Sequence, residues 1–273
     1  MHFFGNLLAK GSGINFMVFQ ITFFALFGMI IGSFMNAVIY RFPRKISISK
    51  SRSHCPSCDK LIYWYENIPV LSYIFLRGKC SGCGAGISIQ YPLVELISGV
   101  ASVLLMPKIV DGITILHYVF YFTVFECFLA LFIIDVRHKL LPNALNIYLA
   151  LIFGSYGLMQ FPISHVVYGG AIGLLFPLGF TYAFYLVRGK IGLGGGDIKL
   201  WGALGLYLGI KGIIFNIFFS CFLGSIIGVA WIALKRIDKG QAIPFGPFIL
   251  VISFLQIYFP AEFQALTRLV VGF

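Results

Sequence analysis

Long apolar runs separated by short polar loops dominate the pattern of this chain. Runs such as 16–39, 113–134 and 213–234 reach or exceed the roughly 18–20 residues that a helix needs to cross about 30 Å of hydrocarbon. Because lipid offers no hydrogen-bond partners, such segments must pair their backbone groups internally as helices. The pattern predicts an all-α polytopic membrane protein with about eight transmembrane helices, at 16–40, 92–107, 113–134, 143–160, 165–187, 197–210, 212–234 and 246–267.

Composition supports this prediction and narrows the class of protein. The chain has 273 residues, of which 59% are hydrophobic and only 11% are charged, too few to cover a soluble globule of that length. The net charge of +11 comes from basic residues in short loops, where they act as topology signals. We therefore expect contact with membrane lipid and no nucleic-acid partner.

The distribution of Lys and Arg predicts the orientation of the spans. The loop 41–91 is the most basic segment, which places it in the cytoplasm by the positive-inside rule. The basic residues after the third, fifth and seventh spans then fall on the same side: Arg137, Lys139, Arg188, Lys190, Lys235, Arg236 and Lys239. The alternate loops hold only Lys108 and Lys211 besides the termini. The chain thus divides into a first transmembrane helix (1–40), a cytoplasmic loop (41–91) and a membrane-embedded core (92–273).

Two Cys-x2-Cys pairs lie in the predicted cytoplasmic loop, at Cys55 and Cys58 and at Cys80 and Cys83. Two such pairs supply four thiolates, the preferred ligand set of structural zinc. Disulfides are the alternative, but the cytoplasm is reducing. We predict one zinc ion per chain that stabilises the fold of the loop, because four thiolates leave no open position for a catalytic water.

Two aspartates lie at the same predicted face of the membrane. Asp135 ends the third span and Asp197 begins the sixth, directly after Gly194, Gly195 and Gly196. Two carboxyls at one depth can share a proton and divide acid and base roles, as in aspartic proteases. Each acid has the alternative of a solvated or ion-paired interfacial residue. The glycines are predicted to let an extended peptide approach, the alternative being a flexible break.

Motifs for other chemistries are missing from the sequence. The segment from Gly192 has Asp197 where a G-x-G-x-x-G loop requires glycine, and no G-K-[ST] follows. Neither H-E-x-x-H nor G-x-S-x-G occurs.

With these residues in place, the sequence resembles the type IV prepilin peptidases, membrane aspartyl proteases of the GxGD group. The resemblance covers nearly the whole chain through both cysteine pairs and five segments: GSFMNAVIYRFP at 32–43, YPLVE at 91–95, DVRHKLLPN at 135–143, GGGDIK at 194–199 and PFGP at 244–247. It implies that Asp135 and Asp197 are the catalytic pair, and that the four loop cysteines bind zinc.

The resemblance also implies a substrate, a second reaction and a location. Such enzymes remove the leader of type IV prepilins or type II secretion pseudopilins after a glycine, at the cytoplasmic face of the bacterial inner membrane. Many then methylate the new N-terminal amine with S-adenosyl-L-methionine. This second activity rests on resemblance alone, because the chain has no Rossmann-type glycine fingerprint.

A few further acids are candidates for contact with the substrate or for another function. On the cytoplasmic face these are Asp59, Glu66, Asp238 and Glu95, of which Glu95 is favoured because it enters the second span; its alternative is a helix N-terminal acid. Glu126, inside the third span, supports an alternative class, a proton- or cation-coupled transporter that uses membrane-embedded acids. A third class of protein with these features is a non-catalytic zinc-sensing scaffold. Cleavage of prepilin by the solubilised protein distinguishes the three.

Overall fold

The computed structural model describes residues 2–48, 52–107, 111–190, 192–234 and 243–271, with side chains from residue 15 onward. Lys50, Lys108, Lys235, Arg236, Asp238 and Lys239 lie outside the described residues. The described part is helical, and its only β-structure is two isolated bridges. The described residues form nine α-helices: α1 (His2–Arg41), α2 (Leu71–Phe75), α3 (Gln90–Leu105), α4 (Gly112–His138), α5 (Asn143–Gln160), α6 (Ile163–Arg188), α7 (Gly195–Ala233), α8 (Gly246–Tyr258) and α9 (Pro260–Val271). A 3-10 turn covers Trp64–Asn67.

The chain forms two compact units, residues 1–126 and 127–273. In the first unit, α1 packs against α3 through small residues. Gly28 and Gly32 form a G-x-x-x-G pair, and a β-carbon on Gly28 would lie 2.5 Å from Ser102 Cβ. Small residues let membrane helices approach closely without hydrophobic driving force. Ser102 Oγ also donates to Phe24 O at 2.6 Å, which ties the two helices together.

In the second unit, glycines hold α6 against α7. A β-carbon on Gly169 would lie 2.2 Å from Gly205 O, and one on Gly173 would lie 2.3 Å from Trp201 O. These distances are shorter than any real carbon–oxygen contact, so only glycine permits this packing.

Helix α7 is a folded pair of segments. Trp201 Nε1 donates to Asn216 Oδ1 at 3.0 Å although the residues are 15 positions apart, which in a straight helix is about 22 Å. The chain turns back at Gly209, whose φ of 67° and ψ of −174° are not helical. The segments 195–208 and 210–233 are therefore antiparallel, with the break where the sequence predicts the boundary between the sixth and seventh spans.

The helical, multi-pass character of the chain is confirmed, but eight spans are not. By length and apolarity the described residues contain four candidate spans, Asn15–Arg41, Gly112–His138, Ile163–Arg188 and Gly195–Ala233, or five if a bent pair counts as one. The predicted span over 246–267 is not a straight helix, since α8 and α9 meet at 113° and form either a broken span or a re-entrant loop. Pro260 explains the bend, because proline lacks an N–H and disfavours helical geometry in the residue before it.

Candidate active site and metal centre

Asp135 lies near the C-terminus of α4 and is only 5% exposed. Lys139 ends this helix in the left-handed conformation, with φ 51°, and its N–H bonds Asp135 O at 2.8 Å. The Asp135 carboxyl lies against the backbone N–H of Gly246, at the start of α8. Its Oδ2 has no hydrogen-bond partner among the described residues, which leaves a buried carboxyl oxygen available for a water molecule or a substrate.

Asp197 is the third residue of α7 and is 8% exposed. Its carboxyl lies beside the backbone N–H of Gly194, the residue that caps the helix. An acid at the third helical position that accepts from the backbone N–H of the N-cap residue makes one of the two hydrogen bonds of a capping box. The acid is thus held at the helix N-terminus, in a fixed position.

The segments that hold the two aspartates both pack against Leu141, a buried residue in the loop between α4 and α5. A β-carbon on Gly246 would lie 3.1 Å from Leu141 Cδ2 and 2.7 Å from Asp135 Oδ2, and one on Gly196 would lie 2.9 Å from Leu141 Cβ. Asp197 follows Gly196 directly, and the charges of the two aspartates act on each other. Both acids therefore belong to segments that pack against Leu141 in the second unit, and their action as a catalytic pair stays a prediction.

Helix α5 fixes the glycine segment that precedes Asp197. Asn146 is buried and its Nδ2 donates to Gly196 O at 3.1 Å. Lys199 Nζ donates to Asn143 Oδ1 at 2.8 Å, so this lysine is engaged outside the carboxyl pair. The sequence analysis missed Asn146; the available signal was a pair of asparagines, three residues apart, at the start of an apolar span.

The three glycines before Asp197 have different surroundings. A β-carbon on Gly194 would lie 2.8 Å from Asp197 Oδ2, and the one on Gly196 would meet Leu141, whereas nothing lies within 4 Å of a β-carbon on Gly195. Gly194 and Gly196 are thus required for close contacts within the chain. A role of the three glycines in binding substrate stays a prediction, and the space around Gly195 is where it fits best.

A buried polar network holds α8 against both segments of α7. Asn216 accepts from Trp201 and donates to Ser253 Oγ at 2.9 Å and to Gln256 Oε1 at 2.7 Å. The Trp201 ring also contacts Phe245 edge-on, with 5.7 Å between centroids. Because Phe245 precedes Gly246, this network sets the position of the backbone that touches Asp135.

The four loop cysteines form one cluster built from two matching turns. All four Sγ atoms lie within 4.8 Å of one another. In each turn the backbone N–H of the first cysteine donates to the carbonyl oxygen of the residue five positions later. The N–H of the residue four positions later donates to the carbonyl oxygen of that cysteine, and this residue has a left-handed conformation. The bonds are Cys55 N to Lys60 O at 2.9 Å and Asp59 N to Cys55 O at 2.9 Å, then Cys80 N to Ala85 O at 2.8 Å and Gly84 N to Cys80 O at 2.9 Å.

This cluster fits a bound metal. Thiolates around a tetrahedral zinc, with bonds of about 2.3 Å, are about 3.8 Å apart, and Cys55 Sγ and Cys83 Sγ are 3.9 Å apart. The backbone N–H of Gly82 donates to Cys80 Sγ at 3.4 Å, a contact of the kind that stabilises a metal-bound thiolate.

Glu66 joins the two cysteine turns. It accepts hydrogen bonds from the Ser81 hydroxyl, from Lys60 Nζ at 2.9 Å and from Tyr63 N at 3.0 Å. These donors lower the pKa of Glu66 from 4.5 to about 2. The resulting stabilisation is present at neutral pH and is lost as the pH falls from about 4.5 towards 2. Glu66 therefore has a structural role.

The remaining acids from the sequence analysis have defined surroundings in the first unit. Glu95 is buried on α3, and its Oε2 accepts the backbone N–H of Val70 at 2.8 Å. That bond anchors the loop to α3 and supports Val70 at positive φ, with φ 61° and ψ −47°, which is costly for a β-branched residue. Substrate binding by Glu95 stays a prediction. Glu126 is 3% exposed; Ser98 faces it, but its oxygens make no hydrogen bond of good geometry among the described residues.

The fold and the site together define a multi-pass helical membrane protein with a buried pair of aspartates and a four-cysteine cluster that can bind a metal. Residues 26–109 match the model of the bacterial peptidase A24 N-terminal domain, and residues 120–229 match that of the type IV leader peptidase family.

Curated relatives cover most of the chain. A prepilin leader peptidase/N-methyltransferase of Aeromonas salmonicida is 33% identical over 91% of this chain and 93% of its own length. Proteins with the same description from Xanthomonas campestris pv. campestris and Pseudomonas aeruginosa are 35% and 31% identical, over 82% and 84% of this chain and 86% and 87% of their own lengths. No solved structure gives a significant match. The chain belongs to the type IV leader peptidase family.

Proposed function

We propose that this protein removes the leader of type IV prepilins, type II secretion pseudopilins, or both, after a glycine, and then methylates the new N-terminus. Relatives that match 91% and 82% of the chain are named for both activities, and the relatives reported above give the transporter no support. The observation that supports the peptidase is that Asp135 and Asp197, buried side chains 62 positions apart in the sequence, both lie beside glycines that pack against Leu141.

The geometry supports an aspartyl mechanism. The ionised carboxyl takes a proton from a water molecule, and the protonated carboxyl donates a hydrogen bond to the scissile carbonyl oxygen. The water oxygen adds to the carbonyl carbon, the C–N bond of the resulting tetrahedral intermediate then breaks, and the leaving amine takes up a proton from the pair. The orphaned Oδ2 of Asp135 is a suitable acceptor for the attacking water.

Orientation and the metal complete the proposal. We infer that the carboxyl pair faces the cytoplasm at the bacterial inner membrane, which the basic residues next to the site, such as Arg137 and Lys139, support, and that the chain has about eight spans when the short helices are included. The cysteine cluster holds one structural zinc, since the spacing of the sulfur atoms suits it. S-adenosyl-L-methionine supplies an electrophilic methyl group when bound.

Processing of a prepilin by the purified protein in detergent tests the peptidase. Asp135→Asn and Asp197→Asn keep the side-chain shape but remove proton transfer, so each should slow cleavage by at least about 10²–10⁴-fold. Asp111→Asn is the matched control, because Asp111 caps α4 through Thr114 N at 2.8 Å and asparagine caps equally well. Near-normal cleavage by either folded dyad variant contradicts the proposed mechanism.

A further inference from the structure

A groove of about 650 Å³ lies in the first unit, between α1 and the cysteine loop. Its size falls within the roughly 300–1,000 Å³ typical of ligand sites. The turn that carries Cys55 forms part of its wall through Ser53 and Pro56. Asp135 and Asp197 belong to the second unit, so the groove is a separate feature of the protein.

The apolar part of the groove follows α1 inside a membrane span. Ile30, Phe34 and Ala37 line it, and all three lie in the candidate span Asn15–Arg41. Ile30 and Phe34 are 58% and 52% exposed. From Ile30 to Arg41, which ends α1 and also lines the groove, the helix rises about 16 Å. This rise is about half of the roughly 30 Å hydrocarbon core, so the groove matches the depth of one lipid leaflet.

The polar part of the groove is basic and aromatic. Arg41, Arg52 and His54 line it together with the ring of Trp64. Arg41 is buried and its Nη1 donates to Ile48 O at 2.7 Å, whereas Arg52 is exposed. Among the described residues that line the groove there is no Asp or Glu. The groove therefore offers positive charge to an anion and no partner to a cation.

We propose that this groove binds one anionic phospholipid of the leaflet that borders the cysteine loop. An acyl chain lies along Ile30 and Phe34, and the phosphate lies against Arg52, whose planar guanidinium matches phosphate oxygens. Trp64, with an apolar ring and a polar N–H, is typical of the boundary between headgroups and hydrocarbon. A choline or ethanolamine headgroup carries a cation for which the described lining has no acid. The bound lipid holds the cysteine loop against α1, and neither enzymatic activity is needed for this binding.

Quenching of Trp64 by brominated lipid tests the site without reference to turnover. Delipidated, zinc-loaded protein in non-ionic detergent is titrated with brominated phosphatidylglycerol, which is anionic, and with brominated phosphatidylcholine, which is zwitterionic. The difference in emission between wild type and Trp64→Phe isolates Trp64 from the other two tryptophans. Trp64 should be quenched by phosphatidylglycerol at an about 10-fold lower mole fraction than by phosphatidylcholine. Native mass spectrometry should find one bound phosphatidylglycerol per protein.

Two pairs of variants test the headgroup end and the chain end, each measured with and without Trp64→Phe. Arg52→Gln should weaken phosphatidylglycerol binding about 5-fold, the effect of one basic residue near an anionic headgroup, and leave phosphatidylcholine binding unchanged. Arg77→Gln is the matched control, because Arg77 is an exposed residue of the same loop that does not line the groove. Phe34→Ala should weaken binding of both lipids about 10-fold. Phe19→Ala should weaken neither, since Phe19 is exposed on α1 outside the groove.

The outcomes separate this site from other occupants and from the proposed function. Equal affinity for the two lipids, or full affinity for phosphatidylglycerol in Arg52→Gln, overturns the anionic lipid site. Displacement of the lipid by millimolar inorganic phosphate shows a site for free anions and also overturns it. A change in Trp64 emission caused by prepilin but by neither lipid shows a protein-docking surface, with the same consequence. A wild type that binds the lipid as expected but cleaves no prepilin overturns only the proposed function.

Discussion

Substitution of Gly246 by alanine tests the position of Asp135 without changing the acid itself. The added β-carbon would lie 2.7 Å from Asp135 Oδ2 and 3.2 Å from its Cγ. Carbon and oxygen atoms prefer separations of about 3.3 Å or more, so the carboxyl must move by roughly 0.5–1 Å. Leu141 Cδ2, at 3.1 Å, blocks part of the available space.

A displacement of this size should slow the chemistry far more than it destabilises the fold. A misplacement of about 1 Å costs about 10²-fold in rate, whereas overpacking costs about 1–3 kcal/mol of stability. We expect kcat for prepilin cleavage to fall by about 10²-fold with little change in KM. Rates measured over a range of substrate concentrations on purified, zinc-loaded protein give both constants.

Gly179→Ala is the matched control. Gly179 lies in α6, and nothing is within 4 Å of its β-carbon position, so alanine should leave cleavage unchanged and raise stability by up to about 1 kcal/mol. If Gly246→Ala retains its fold and cleaves within about three-fold of wild type, then Asp135 does not need the position seen here, and the reasoning from the contact fails.

Three further predictions follow from the site and the loop. Gly194→Ala and Gly196→Ala should each reduce cleavage by about 10²-fold, because the added β-carbons would contact Asp197 and Leu141. Gly195→Ala should fold normally and change KM more than kcat. Equal losses of kcat at all three positions would contradict this prediction. Elemental analysis should find one zinc per chain, and Cys80→Ser should lose the metal and expose the loop to protease. A metal-free wild type with four free thiols would refute the zinc assignment. Glu66→Gln should release zinc to a chelator about 10-fold faster at pH 7, since Glu66 bonds residues next to both cysteine pairs; an unchanged release rate would mean that this bridge does not support the metal site.

We expect cleavage and methylation to depend on different parts of the protein, the membrane core and the cysteine loop. Asp135→Asn should abolish cleavage and leave methylation of a pre-cleaved pilin peptide measurable, because the cysteine loop and the aspartates belong to different units. Conversely, Cys55→Ser should damage methylation at least as much as cleavage. Both activities are measured on the same preparations, with circular dichroism to confirm retained helix. Lost cleavage with fully preserved methylation in Cys55→Ser shows the division to be reversed.

The sequence by itself determined the helical, membrane-embedded character of the chain and the residues most suited to chemistry. Hydropathy is a sum over local composition, so the apolar runs and the two cysteine pairs were readable without a structure. The same holds for the acids Asp135 and Asp197, because a carboxyl is conspicuous in apolar surroundings.

Tertiary structure decided which atoms meet. The fold-back at Gly209, the bend before Pro260 and the contact between Gly246 and Asp135 each depend on packing between segments distant in sequence. The role of Asn146 likewise depends on Gly196, a partner 50 positions away in the sequence. Hydropathy records how a residue partitions between water and lipid, whereas close packing and hydrogen bonding depend on distances of a few ångströms that only the assembled helices set.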